Sequence, residues 1–131
     1  LGNKLLNLGF LVYVLSNNHG KRINHFMKSF PASGSGNLMK KPFAYKVKKF
    51  LNDKNITDYR QIIMIGDQLV TDILCANRVG VDSILVKSIS RASEKWYTRI
   101  NRLRDPFIVK KIAKKDALYA KQIAEIVRKE K

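Results

Sequence analysis

The stretch MIGDQLVTDILCANRVG, residues 64–80, holds the change from strand to helix that decides the fold. The apolar run before Gly66 is typical of a strand buried on both faces. A helical spacing follows at Val70, Ile73, Leu74 and Asn77. Gly80 suits the left-handed end of that helix. We therefore predict a strand, a polar turn at Gly66-Asp67 and a helix, in this order.

The stretch YVLSNNHGKR, residues 13–22, repeats this arrangement. An apolar run over residues 10–15 predicts a buried strand that stops at Ser16-Asn17. The remaining predicted elements are a helix that ends at Gly9, a helix over 21–30, a turn-rich loop over 31–37, a helix that begins at Pro42 and carries Phe43, Val47, Phe50 and Leu51 on one face, and a strand over 83–86. Strands that alternate with helices predict an α/β fold, with a mostly parallel sheet and flanking helices.

Polar side chains stand where two of these strands end. The carboxyl ends of parallel strands form the usual ligand crevice of such sheets, so we expect Ser16, Asn17 and Asp67 to converge there. Asp67 and Asp72 supply the oxygen ligands that suit Mg²⁺. For each residue taken alone the structural interpretation is the preferred one, because aspartates often cap helices and serines often cap loops.

Phosphate is one ligand that these positions could bind. Ser16 and nearby backbone N–H groups are suited to hold a phosphoryl oxygen. Lys40 and Lys41 precede Pro42, and a lysine at the start of that helix would neutralise phosphate charge. In a chain with this many lysines, however, the segment KKP carries little information by itself.

Charge and cysteine content restrict the choice of partners. Lysine and arginine number 26 against 10 acidic residues, a net charge of +16 that attracts RNA, DNA, anionic lipid and phosphorylated metabolites alike. The single cysteine, Cys75, excludes an intramolecular disulfide and suits a reducing compartment. No apolar run approaches the ~18 residues of a membrane span, so we predict a cytoplasmic location, with peripheral membrane contact left open.

Five separated segments resemble the YqeG family of class IIIA phosphatases in the haloacid dehalogenase (HAD) superfamily. They are VLSNN at 14–18, KKP at 40–42, IGDQLVTDILCANRVG at 65–80, ILV at 84–86 and TRINR at 98–102. The resemblance spans residues 1–104 and implies a Rossmann-like HAD fold. It implies that Ser16 and Lys41 hold the transferring phosphoryl group with Asn17 beside them. It also implies that Asp67 binds Mg²⁺ and that Asp72 completes or orients the coordination shell of this ion.

The chain departs from this family at one motif. The family's nucleophile belongs to an Asp-x-Asp motif on a first strand, but no Asp-x-Asp occurs here and the first acidic residue is Asp53. That strand lies in the family between the strands that end at Ser16 and Gly66. We therefore expect these two strands either to close up or to leave unpaired backbone groups, and we expect the chain alone to be inactive.

Two functions follow from these observations. The resemblance implies a Mg²⁺-dependent phosphatase that hydrolyses a phosphomonoester through an aspartyl-phosphate intermediate. Since relatives in this family include the mitochondrial phosphatidylglycerophosphate phosphatase, a lipid phosphate is one candidate substrate. The alternative is a non-catalytic module that binds phosphate or RNA on the same scaffold, and the net charge favours neither.

We treat residues 105–131 as a basic helical extension of the domain at 1–104. Its apolar positions Ile108, Ile112, Tyr119, Ile123 and Ile126 follow helical spacing, with five lysines off that line. Such a helix suits an anionic membrane or RNA, but it suits docking on its own domain or a partner equally. Aromatics and arginines also mix at Trp96, Tyr97, Arg99, Arg102 and Arg104, where a solvated helix packed by its aromatic side is the preferred interpretation.

Overall fold

Two compact units make up the chain, Leu1–Thr57 and Asp58–Lys131. The computed structural model describes residues 1–88, 99–100 and 102–127. The sequence-based division after residue 104 lies inside the second unit and stays a prediction. Trp96 and Tyr97 lie outside the described residues.

The first unit contains three helices and a short parallel sheet. In chain order these are α1 (Gly2–Asn7), β1 (Tyr13–Leu15), α2 (Gly20–Met27), β2 (Gly34–Gly36) and α3 (Ala44–Asp53). β1 and β2 are parallel and pair Tyr13 with Gly34 and Leu15 with Gly36. Gly9, with a φ of +87°, follows α1 as the sequence predicts.

Two predictions in the first unit are wrong. Residues 31–37 were expected to form a loop, but they contain β2, whose sequence GSG has no apolar alternation for a pattern to detect. Gly36 is needed because a Cβ there would meet the side chains of Met39, Leu15 and Phe50. The third helix begins at Ala44 rather than at Pro42, because Phe43 is in an extended conformation.

The second unit repeats the strand and helix order. Its elements are a 3₁₀ turn (Tyr59–Gln61), β3 (Ile63–Gly66), a π-helical turn (Leu69–Ile73), α4 (Leu74–Val79), β4 (Asp82–Leu85), α5 (Asp105–Ala113) and α6 (Ala117–Val127). β3 and β4 are parallel, with Ile65 opposite Ile84. α4 ends as predicted at Gly80, whose φ is +89°. Cys75, the single cysteine of the chain, is buried on α4.

The buried face of the segment over 69–79 differs from the predicted one. The predicted positions Val70, Ile73 and Leu74 are only half-buried, and Asn77 is exposed. The buried positions are instead Leu69, Thr71, Asp72, Cys75, Ala76 and Val79. The predicted positions follow the spacing of a regular α-helix, whereas residues 69–73 form a π-helical turn that shifts the inward face, and Asp72 occupies a buried position. Its buried carboxylate shows that this segment also builds a polar corner.

Each unit has its own two-stranded parallel sheet among the described residues, β1 with β2 in the first and β3 with β4 in the second. In β3, Gly66 O accepts a hydrogen bond from Val86 N at 2.9 Å, on the side of β4. Backbone groups alternate in direction along a strand, so those of Ile63 and Ile65 point away from β4. The backbone groups of Ile63 and Ile65 thus lie on the edge of β3 opposite β4, and the expectation that groups there are unpaired stays a prediction. The Ile63 and Ile65 side chains are exposed, so the prediction that this strand is buried on both faces is wrong.

The C-terminal region contains two helices, so the prediction of one amphipathic helix is wrong. α5 and α6 are separated at residues 114–116, where Asp116 Oδ1 accepts a hydrogen bond from Tyr119 N at 2.9 Å. This aspartate caps the start of α6 and interrupts the apolar line. Tyr119 is exposed. In the part of the chain that the structure describes, no helix has both the length and the apolar character of a membrane span.

Candidate functional site

Ser16 lies directly after β1 in the first unit. Its N–H donates to Gly36 O at 2.9 Å, and its carbonyl accepts from Met39 N at 3.0 Å. Its Oγ accepts from Asn18 N at 3.1 Å, which turns the chain sharply after the strand. The backbone on both sides of Ser16 is thus fixed. Its hydroxyl hydrogen is not used in these bonds, so the group keeps its capacity to donate to an anion.

Asn17 joins this strand end to Lys41, although 24 residues separate them. Asn17 Oδ1 accepts from Lys41 N at 2.8 Å, and Asn17 Nδ2 donates to Lys41 O at 2.9 Å. One amide side chain therefore satisfies both backbone groups of Lys41, as a neighbouring strand would. The structure gives Asn17 a positioning role that sequence analysis did not foresee. Its predicted contact with phosphate stays a prediction.

The Lys41 ammonium lies at the end of β1. Lys41 Nζ donates to Leu15 O at 3.1 Å, one residue before Ser16, and the side chain is half-buried. A charged donor makes this bond stronger than a neutral one. The structure thus brings Ser16, Asn17 and Lys41 together in one polar corner of the first unit, as the sequence predicts.

The loop before Lys41 is held in a strained conformation. Leu38 and Lys40 have φ values of 48° and 52°, in the left-handed region that side chains rarely adopt. Such a conformation costs energy and persists only where the surroundings enforce it. The enforcing contacts are present, because Leu38 N donates to Asn18 O at 3.1 Å and the Met39 side chain is buried. The position of Lys41 is therefore set by structure on both sides of it.

A second polar corner lies after β3 in the second unit. Asp72 is buried, and its Oδ2 accepts from Gln68 N at 3.3 Å. Its own N–H donates to Gln68 O at 2.9 Å, which closes the turn. A Cβ on Gly66 would overlap the carboxylate of Asp72. Glycine is therefore required at this strand end for steric reasons, since it lets the carboxylate pack against the backbone.

Arg102 binds Asp67 in the same corner. Arg102 Nη2 donates to Asp67 Oδ2 at 2.8 Å, and Nη1 donates to Asp67 O at 3.0 Å. The Arg102 side chain is only 8% exposed, against 32% for that of Asp67. The expectation that Arg102 lies on a solvated helix face is therefore wrong. The segment TRINR was the available signal, because it resembled the family without having been given a role.

A metal at this corner would be bound by few protein ligands. Among residues 1–88, 99–100 and 102–127, no group of three or more histidines, cysteines or acidic residues could hold an ion. Mg²⁺ commonly uses one or two carboxylates and keeps several waters, so Asp67 and Asp72 fit its requirements. Arg102 binds Asp67 at Oδ2, which leaves Oδ1 as the other oxygen of that carboxylate.

Each corner lies within one unit, with Ser16, Asn17 and Lys41 in the first and Asp67, Asp72 and Arg102 in the second. The convergence of the two groups on one ligand stays a prediction.

Comparisons with known proteins agree on one family. The HAD-hydrolase-like family matches residues 38–114, more than half of the chain. The chain is also 32% identical over 101 residues to a protein of Bacillus subtilis (strain 168) named probable phosphatase YqeG. That match covers 72% of this chain and 53% of the relative, so the chain spans about half the length of the protein that it resembles. No solved structure matches the chain significantly.

Proposed function

Because the chain belongs to the HAD-hydrolase-like family, we propose that it forms the phosphate-binding and metal-binding part of a phosphatase. The name of the Bacillus subtilis relative supports this activity. The observation that carries the proposal is the pair of hydrogen bonds by which Asn17 holds Lys41 beside the end of β1. The Lys41 ammonium donates to Leu15 O, one residue before Ser16, and an ammonium together with a hydroxyl is a combination of donors that suits a phosphoryl group.

The first unit supplies the groups that bind the phosphoryl oxygens. In this proposal the Ser16 hydroxyl donates to one oxygen, and Lys41 turns its ammonium from Leu15 O toward another. Since the strand end and the loop before Lys41 are both fixed, little reorganisation is needed when the anion binds. Only the Lys41 side chain has to give up a hydrogen bond, so the backbone that carries both donors stays in place and the energetic cost is low.

The second unit supplies the carboxylates. Asp67 and Asp72 would hold a Mg²⁺ ion, which shields the repulsion between phosphate oxygens and an attacking carboxylate. Arg102 fixes the orientation of Asp67 through the side chain and the backbone carbonyl of that residue. Gly66 allows Asp72 to pack against the strand end.

The proposed reaction is hydrolysis of a phosphomonoester through an acyl phosphate. A carboxylate oxygen attacks phosphorus, the bond to the ester oxygen breaks, and the alcohol leaves with a proton from a general acid. Water then attacks the acyl phosphate and releases inorganic phosphate, which restores the carboxylate. No Asp-x-Asp occurs in residues 1–131, so we assign the nucleophile and the general acid to none of them.

The test is hydrolysis of p-nitrophenyl phosphate with Mg²⁺ by the chain extended at its N terminus by a strand that carries Asp-x-Asp. Asp67→Asn should lower kcat/KM by at least about a hundredfold, the size of effect typical of lost electrostatic stabilisation. Asp82→Asn is the matched control, because Asp82 is an exposed aspartate on β4.

Either of two results would overturn the proposal. One is an extended chain that is inert with Mg²⁺, and the other is equal activity in the Asp67 and Asp82 variants. If the inert chain also bound RNA with an affinity that falls steeply with salt, the non-catalytic binding module would be the better description.

A further inference from the structure

An exposed basic face runs along α5. Phe107, Lys110, Lys111 and Lys114 are spaced i, i+3, i+4 and i+7, and all four are exposed. Residues at this spacing share one side of a helix. Phe107 is 75% exposed, which only Leu1 exceeds among the large apolar side chains that the structure describes. We call these four residues the α5 stripe.

The apolar side of the C-terminal helices is used within the second unit. Ile108 and Ile112 on α5 are half-buried, and Ala120 and Ile123 on α6 are buried. The α5 and α6 helices contact each other. Packing of the apolar line inside the unit explains why the helices form. It leaves the α5 stripe, rather than the isoleucines, as the face that is exposed to a partner.

We propose that the α5 stripe docks on an anionic lipid bilayer. Three lysines on one helical face complement a negatively charged membrane surface. A basic helix that also presents a large apolar side chain places the lysines among the headgroups and the apolar group at the acyl boundary. Phe107 is the apolar group of the stripe.

Nearby aliphatic side chains favour lipid over nucleic acid. Leu103, four residues before Phe107, and Leu118, on α6, are exposed large apolar residues. Leucine has no aromatic ring to stack on a base, which is how single-stranded nucleic acids are usually bound. It transfers readily into hydrocarbon. The apolar residues around the stripe therefore suit a bilayer, and RNA becomes an outcome of the test.

The test is flotation of the intact chain with vesicles of phosphatidylcholine, with and without phosphatidylglycerol. The chain should float only with the anionic vesicles. Changing Lys110, Lys111 and Lys114 together to Gln should weaken binding to the anionic vesicles on the order of a hundredfold, since each lysine near the membrane surface raises the affinity about fivefold. Phe107→Ala should weaken binding roughly tenfold and leave its salt dependence intact.

Matched variants separate the stripe from the general charge of the chain. Lys21, Lys28 and Lys48 are exposed in the first unit, so their combined change to Gln removes the same charge elsewhere. Tyr45→Ala removes another exposed aromatic side chain. Both controls should float like the unchanged chain, and circular dichroism should show the same helical content in every variant.

The proposal is overturned if the chain fails to float with anionic vesicles or floats equally with neutral ones. It is also overturned if the controls lose as much binding as the stripe variants, or if the stripe variants lose binding to poly(U) while flotation is unchanged. None of these measurements depends on phosphatase activity, so the docking proposal and the proposed function fail independently.

Discussion

The two hydrogen bonds between Asn17 and Lys41 give a prediction with a definite size. Asn17→Ala removes both bonds, at 2.8 and 2.9 Å, from a part-buried site. A net contribution of roughly 1 kcal/mol per bond predicts a loss of about 2 kcal/mol in the free energy of unfolding. For a chain of this size, the melting temperature should fall by about 8 °C.

Urea unfolding followed by far-UV circular dichroism measures this change, and the dependence of the unfolding free energy on urea should be unaltered. Asn17→Asp keeps an acceptor for Lys41 N but removes the donor to Lys41 O. The free energy of unfolding should therefore fall by about 1 kcal/mol, half of the loss expected for Asn17→Ala. Asn18→Ala is the control, because Asn18 makes its hydrogen bonds through its backbone. Its unfolding free energy should stay within about 0.5 kcal/mol of the unchanged chain. If Asn17→Ala and Asn18→Ala were equally stable, the amide would not hold the loop.

Two further changes test the corner in the second unit. Arg102→Gln should lower the free energy of unfolding by about 1–3 kcal/mol, because it leaves the Asp67 carboxylate without its charged donor. Arg102→Lys should not restore the loss, because an ammonium lacks the two-pronged geometry of a guanidinium. Thermal melting measures both changes, and an equal loss in the variant Arg104→Gln, at an exposed position, would contradict this role of Arg102. Gly66→Ala should lower the free energy of unfolding by about 1–3 kcal/mol, because the Cβ of the alanine would overlap the Asp72 side chain. An unchanged midpoint of urea unfolding would show that this contact is unimportant.

The sequence predicts the parallel α/β order and both strand-end corners for physical reasons. Apolar runs that stop at Ser16 and Gly66 mark the strands β1 and β3, but the burial on both faces that such runs predict is wrong for β3, where Ile63 and Ile65 are exposed. The Ser16, Asn17 and Lys41 group could be anticipated only from the family resemblance, since 24 residues separate Asn17 from Lys41. Spacing alone does not predict contacts over that distance.

The missed features are those with no local pattern. β2 is made of Gly-Ser-Gly and is defined by its backbone pairing with β1. Arg102 contacts Asp67 across 35 residues, so no period connects them. The single C-terminal helix was predicted from apolar spacing that continues across Asp116, where the side-chain cap starts a new helix.

The π-helical turn at Leu69–Ile73 determines where this segment tolerates a change in length. Ile73 N donates to Gln68 O at 3.2 Å, five residues back rather than four. A π-helical turn holds one residue more than an α-helical turn does. Loss of a residue other than Asp72 from this turn would therefore leave ordinary i→i−4 bonds and keep α4 in place, whereas loss of a residue within α4 would rotate the buried residues that follow by about 100°. One-residue changes in length should accordingly be tolerated better in this turn than in α4.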